Sequence, residues 1–197
     1  MDDFSDSNFM ANPVWQGITS DFIVNGQKQL QLNAQAQTAT SGISTASSAA
    51  LNATWEFWIK LDFNPSTSNY AQVFLMSSSS NFNGALQGYY LQLGGNSTDK
   101  IILYKRQGSQ NTIVAQSADG AVNKNSLNFR LKVERNAQHH WSLLADTLGG
   151  STFIVLASGI DSTFNASAYF GLNCIYTSTR STKFYLDDIV VNGQVFV

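Results

Sequence analysis

With 197 residues, a single cysteine and a net charge of −2, the chain can bury a sizeable core without staples and cannot form an intrachain disulfide. Its eleven Lys and Arg residues, against thirteen Asp and Glu, form no basic patch, which excludes a nucleic-acid surface built on phosphate neutralisation. No apolar run approaches the ~20 residues that span a bilayer, so no membrane span is expected.

Met1 runs straight into acidic DDFSD, so no secretory signal is visible. FIVN then meets a turn at Asn25-Gly26, and QKQLQLNA resumes after it, a hairpin signature. The small-residue tract Gln37 to Ala50 reads as a long loop or an edge segment, and only Ala46 to Ala53 could make a helical turn or two. This Ser, Thr, Asn and Gln surface chemistry is common in extracellular domains. TWEFWIKLDF follows, with Trp55, Phe57, Ile59, Leu61 and Phe63 on one face and Glu56, Trp58, Lys60 and Asp62 on the other. That period of two is the mark of a half-buried strand. AQVFLMSS, GYYLQLGG and KIILYKRQG continue the pattern. The clearest hairpin is LNFRLKVERNAQHHWSLLAD, in which Leu127, Phe129, Leu131 and Val133 alternate with Asn128, Arg130, Lys132 and Glu134. Its turn falls at Asn136 to His139, and a second strand runs from Trp141 to Asp146. FIVLASG, YFGLNCIYT and KFYLDDIVV close the chain. The fold class is therefore all-β, an antiparallel two-sheet β-sandwich, read as one domain over residues 1–197.

Nucleophilic chemistry has little to work with. Cys174 lies in an apolar strand and reads as a buried, inert thiol. The two histidines, His139 and His140, are adjacent, point to opposite sides of a strand, and read as turn residues. No phosphate loop or zinc spacing is present.

Three segments together carry a resemblance. DDFSDSNFMANPVWQG, RLKVERNAQHHWSLLAD and KFYLDDIVV, with WEFWIKLDFNPSTSNYAQVFLMS between the first two, resemble concanavalin A-like and laminin G-like jelly-roll domains. In order and spacing they are similar to the N-terminal jelly-roll domain of large bacterial surface proteins, some of which carry lamin-tail-type domains. The resemblance implies export, an extracellular or cell-surface location, a longer parent protein, and Met1 standing after a removed signal. It implies glycan binding or adhesion by fold analogy, and no established activity.

Some domains of this fold are glucanases. Retaining hydrolysis needs two carboxylates about 5–5.5 Å apart and inverting hydrolysis about 6.5–9.5 Å. The chain has two glutamates, Glu56 and Glu134, and neither sits in the Glu-x-Asp-x-(x)-Glu pattern of those enzymes. Glycoside hydrolysis is the lesser alternative. Sugar binding needs flat rings for pyranose faces and planar polar groups for hydroxyls. Trp58 with Glu56 and Lys60, Tyr90 with Gln92, and Tyr104 with Arg106 supply both, provided their strands share one sheet face. Trp15 and Trp55 read as core, and Trp141 as core or hairpin support. The leading expectation is a non-catalytic binding module for glycan. The other alternative is a structural or adhesive domain with a surface protein partner. No cofactor is required. A structural calcium is the one metal candidate: Asp2, Asp3 and Asp6 at one end and Asp187 and Asp188 at the other would meet if the first and last strands are neighbours.

Overall fold

A computed structural model describes residues 2–193; Met1 and residues 194–197, the ends of the expected unit, lie outside the described residues. Within them the chain forms two antiparallel seven-stranded sheets packed as a sandwich. The first sheet contains, in spatial order, β1 (Trp15–Gly17), β4 (Ala39–Ala46), β13 (Tyr169–Tyr176), β6 (Tyr70–Ser77), β7 (Leu86–Leu93), β8 (Ile101–Gly108) and β9 (Gln110–Gln116). The second contains β12 (Ile154–Ile160), β11 (His140–Asp146), β10 (Leu127–Arg135), β5 (Ala53–Leu61), β14 (Phe184–Asn192), β3 (Leu30–Leu32) and β2 (Phe22–Val24).

The alternation read from the sequence is what builds the core. Trp55, Phe57, Ile59, Leu61 and Phe63 are buried, as are Leu127, Phe129, Leu131 and Val133 on the neighbouring strand. Each such side chain contributes about 1.5–3 kcal/mol on leaving water. β10 and β11 pair from Arg130–Asp146 to Arg135–Trp141, so the expected hairpin forms within a residue of its expected bounds. Asn136 Oδ1 closes the turn by accepting the His140 backbone N–H at 3.0 Å, and His139 takes φ 63°. Trp15, Trp55 and Trp141 are all core, with Trp55 stacked on Trp141 at 5.8 Å. Cys174 is fully buried, and burial pushes its thiol well up.

Three expectations change. The tract Gln37 to Ala50, expected as a long loop or an edge segment, is strand over Ala39–Ala46, near the sheet edge: its whole length pairs with β13 on one side, and only residues 43–45 pair with β1 on the other. No helical turn forms in Ala46 to Ala53. The Asn25-Gly26 hairpin exists, but its turn runs to Gln29, and the positive φ falls on Lys28, not on Gly26.

Chain order decides where the candidate site residues go. β5 ends in the second sheet, the chain crosses over, and β6, β7 and β8 then pair with one another in the first.

Candidate functional site

The crossover after β5 separates the expected binding surface into two. Glu56, Trp58 and Lys60 lie on the outer face of the second sheet, and Tyr90, Gln92, Tyr104 and Arg106 lie on β7 and β8 of the first. The core stands between them, so a single face carrying all seven does not form. An alternating pattern says which side chains point outward but not from which sheet.

On the first sheet, the register puts Gln92 opposite Gln72 and Tyr90 opposite both Phe74 and Tyr104. One row across the strands is aromatic: Phe82 stacks on Phe74 at 4.1 Å, Phe74 on Tyr90 at 4.9 Å, and Tyr90 on Tyr104 at 5.3 Å. The next row is an amide ladder. Asn173 Nδ2 donates to Gln72 Oε1 at 3.1 Å, Gln72 Nε2 to Gln92 Oε1 at 3.1 Å, and Gln92 Nε2 to the Gly94 carbonyl at 3.0 Å. Gln92 is therefore a buried member of a relay, not a free contact. Tyr90, 1% exposed, is a buried floor ring. Arg106 is a loop clamp: its guanidinium donates to the carbonyls of Phe82 and Gly84, both at 2.9 Å, and of Gly108 at 3.2 Å. These bonds hold the β6–β7 loop, with Phe82, over the sheet.

Tyr70 and Tyr104 flank this floor half-buried. Among the described residues none hydrogen-bonds the hydroxyls of Tyr70, Tyr90 or Tyr104. Burial raises all three phenols, and Tyr70 and Tyr104 are near enough to raise their neighbours further. The outcome is a rigid aromatic and amide platform with three hydroxyls as its unspent polar groups. Sequence reasoning found Tyr90 and Tyr104 but missed Tyr70, Gln72 and Asn173, which join only through strand pairing.

On the second sheet, Lys60 pairs with Asn128 of β10 and Tyr185 of β14. Trp58 Nε1 donates to Asn128 Oδ1 at 2.6 Å, which fixes the indole over a groove of about 420 Å³. Tyr185, Lys60, Ser126 and the Gln27 and Gln29 side chains complete it. Glu56 does not join the groove. Its Oε1 accepts from Arg130 Nε at 2.6 Å, and the same guanidinium holds Asp188 at 3.0 Å. Arg130 thus bridges the two carboxylates, leaving neither as a free acid or base. Glu134 pairs with Lys132 at 2.7 Å.

The N-terminal segment and the last strand do meet, because Asp2 exchanges backbone hydrogen bonds with Ile189 of β14 at 2.9 and 2.8 Å. Their carboxylates do not converge on a cation. Asp2 accepts from the Phe4 N–H and from Trp15 Nε1, Asp3 from the Ser5 N–H, Asp6 from the Asn8 N–H, Asp187 from the Asp188 N–H, and Asp188 from Arg130. One oxygen of each of these carboxylates, and both of Asp2, already accept a hydrogen bond. Among the described residues no group of three or more His, Cys, Asp or Glu could hold a metal ion.

No family model matches the sequence, and no curated protein matches it. Solved structures do match by shape. The exoplasmic/lumenal domain of VIP36, in a form bound to Ca²⁺ and Man3GlcNAc, superposes with a TM-score of 0.69 at 13% identity, over 97% of this chain and 87% of that one. The carbohydrate recognition domain of Emp47p gives 0.66 at 10% identity, over 98% and 94%. Carbohydrate-binding module CBM66 from Bacillus subtilis gives 0.56 at 17% identity, over 90% and 94%. At these identities the likeness establishes the fold: this chain has the two-sheet jelly roll of lectin-like and carbohydrate-binding domains.

Proposed function

We propose that this chain is a non-catalytic carbohydrate-binding domain that takes a saccharide on the outer face of the first sheet. The observation that carries the reading is the pair of half-buried Tyr70 and Tyr104 hydroxyls, without partners among the described residues, beside an aromatic floor of Phe74 and Tyr90 braced by the amide ladder. The half-buried Tyr104 ring, at the end of the stack, can offer its outer face to the C–H side of a pyranose, and phenols donate to or accept from its hydroxyls. Lectin and carbohydrate-module neighbours in fold add support. Its setting in this reading is outside the cell, as one domain of a larger surface protein, and no helix among the described residues is long and apolar enough to cross a membrane. A glycan array followed by calorimetry tests it. Tyr104→Ala should weaken the best neutral ligand about tenfold, the scale of one aromatic contact plus a hydrogen bond, without lowering the melting temperature by more than a few degrees. An array on which no glycan is retained, or equal affinity in the variant, defeats the reading.

A second reading, an adhesive module with a protein partner, is favoured by the edge strand β12. Ile154, Val155 and Ile160 are 57%, 65% and 66% exposed on a strand with no charged residue, and unpaired edges of this kind invite another chain. Light scattering across a hundredfold concentration range checks it for self-association, with Val155→Lys as the control that should remove any dimer.

A further inference from the structure

The Trp58 groove lies on the sheet opposite the tyrosine platform, and its chemistry differs. Lys60 is the cation of the groove. Among the described residues no carboxylate lies within 4 Å of its ammonium group, which instead sits 5.4 Å from the centre of the Tyr185 ring. Of the acids nearby, Asp62 accepts from Lys183 at 3.1 Å and from Ser126 at 3.3 Å, Glu56 is held by Arg130, and Asp187, opposite Trp58 on β14, accepts the Asp188 N–H and pairs with no cation among the described residues. Two half-buried rings, Trp58 and Tyr185, with an unspent ammonium group between them and amides along the rim, describe a receptor for a flat ligand that carries hydroxyls and one negative charge. We infer that this groove is a second saccharide site, for an acidic sugar unit such as a uronic acid, and that the domain is therefore two-sided. The sugar ring would lie on Trp58, its carboxylate would pair with Lys60, and Asn128, Gln27 and Gln29 would meet its hydroxyls. The inference rests on the carbohydrate-binding reading above but uses none of the residues of that site.

Two ligand faces on opposite sides of a sandwich cannot engage adjacent sugars of one short chain. They can hold two chains together, so a polymer presenting both units would be bridged.

The test exploits an optical accident of the fold. Of the four tryptophans, Trp15, Trp55 and Trp141 are 1% exposed or less, so iodide-quenchable emission reports Trp58 alone. A galacturonic-acid oligomer is titrated into the intact chain, with its methyl ester as the uncharged control. The acid should protect Trp58 from iodide in a saturable way, the ester at least tenfold more weakly, and Lys60→Gln should remove the difference between them. Tyr104→Ala should leave this titration unchanged. Protection that is equal for acid and ester, or absent altogether, overturns the second site. Neither result touches the proposed neutral-sugar site, whose failure would show instead in the array and in the Tyr104→Ala calorimetry.

Discussion

At the scale of single residues, the most committed side chain in the molecule is Arg135, 1% exposed at the end of β10. Its Nη1 donates to the carbonyls of Ala50 and Phe164 at 3.0 and 2.7 Å, and its Nη2 to the Asp161 carbonyl and Asn165 Oδ1, both at 3.1 Å. The guanidinium plane lies 5.2 Å from Tyr89 and 4.9 Å from Trp141. Arg135→Met keeps much of the volume and orphans those acceptors, so a loss of about 3–5 kcal/mol is expected in urea unfolding. A loss under ~1 kcal/mol would mean that water replaces the arginine. Two aspartates set opposite pH slopes. Burial, then repulsion from Asp188, Asp3 and Asp2, raises Asp187 to about 6. Burial works against the charge of Asp161 too, but hydrogen bonds from Lys105, Tyr89 and Thr163 reverse it and leave the group at about 2. A raised folded-state pKa means the folded chain holds its proton longer, so the Asp187 contribution declines as pH rises from about 4 to 6. Asp161 contributes above its unfolded value and is lost as pH falls towards 2. Asp187→Asn should therefore raise the melting temperature at pH 7 by a few degrees and change it little at pH 4. An equal change at both pH values removes Asp187 as the cause.

At the scale of elements, the sequence is informative wherever one face is apolar and the other polar. β5 and β10 were readable residue by residue because every second side chain is large and greasy. β9 left no such trace: Gln110–Gln116 is an edge strand whose first four residues are all exposed. β4 was hidden for the opposite reason. A Cβ on its Gly42 would meet Asn173 Oδ1 at 3.1 Å and Phe82 at 3.7 Å, and small residues look like loop. Sheet membership was beyond reach altogether, since it depends on pairings between residues far apart in sequence; the split of Trp58 from Tyr104 follows from that alone. The glycines show the same limit. Asn25-Gly26 marked a hairpin turn, yet a Cβ on Gly26 meets nothing within 4 Å and its φ is not positive. Gly88, mid-strand and unremarked, would place a Cβ 1.9 Å from the Met76 carbonyl oxygen, beside the irregularity where β6 and β7 shift register. Gly26→Ala should be neutral or add up to ~1 kcal/mol by restricting the unfolded chain. Gly88→Ala should cost about 1–3 kcal/mol through strand displacement. Paired thermal melts decide between these, and a Gly88→Ala melt matching that of the parent would contradict the tight approach.

At the scale of the whole molecule, the question is what fastens the first segment to the strands around it. The N-terminal segment is tied to β14 by the Asp2–Ile189 bridge, and to β1 by Trp15 Nε1 donating to Asp2 Oδ2 at 2.7 Å and by the buried Phe4 ring 6.0 Å from Trp15. That is a backbone and aromatic latch, and the acids around it work against it: burial, with Asp6 adding repulsion, raises Asp2, and Asp2 and Asp3 help to raise Asp187. A fold neighbour carries Ca²⁺ in its bound form, and a divalent ion would relieve such repulsion if the carboxylates could turn towards it. Here one oxygen of each of Asp3, Asp6, Asp187 and Asp188 is already held by a backbone N–H or by Arg130, so an ion would have to compete with the turns and with the Arg130 bridge for their geometry. The expected outcome is that melting curves in millimolar CaCl₂ and in excess chelator superimpose at pH 7, while added NaCl raises both slightly by screening the acids. A chelator-dependent fall of several degrees would show that the carboxylates do reorient around an ion, and would return the junction of the first segment with β14 to the list of ligand sites.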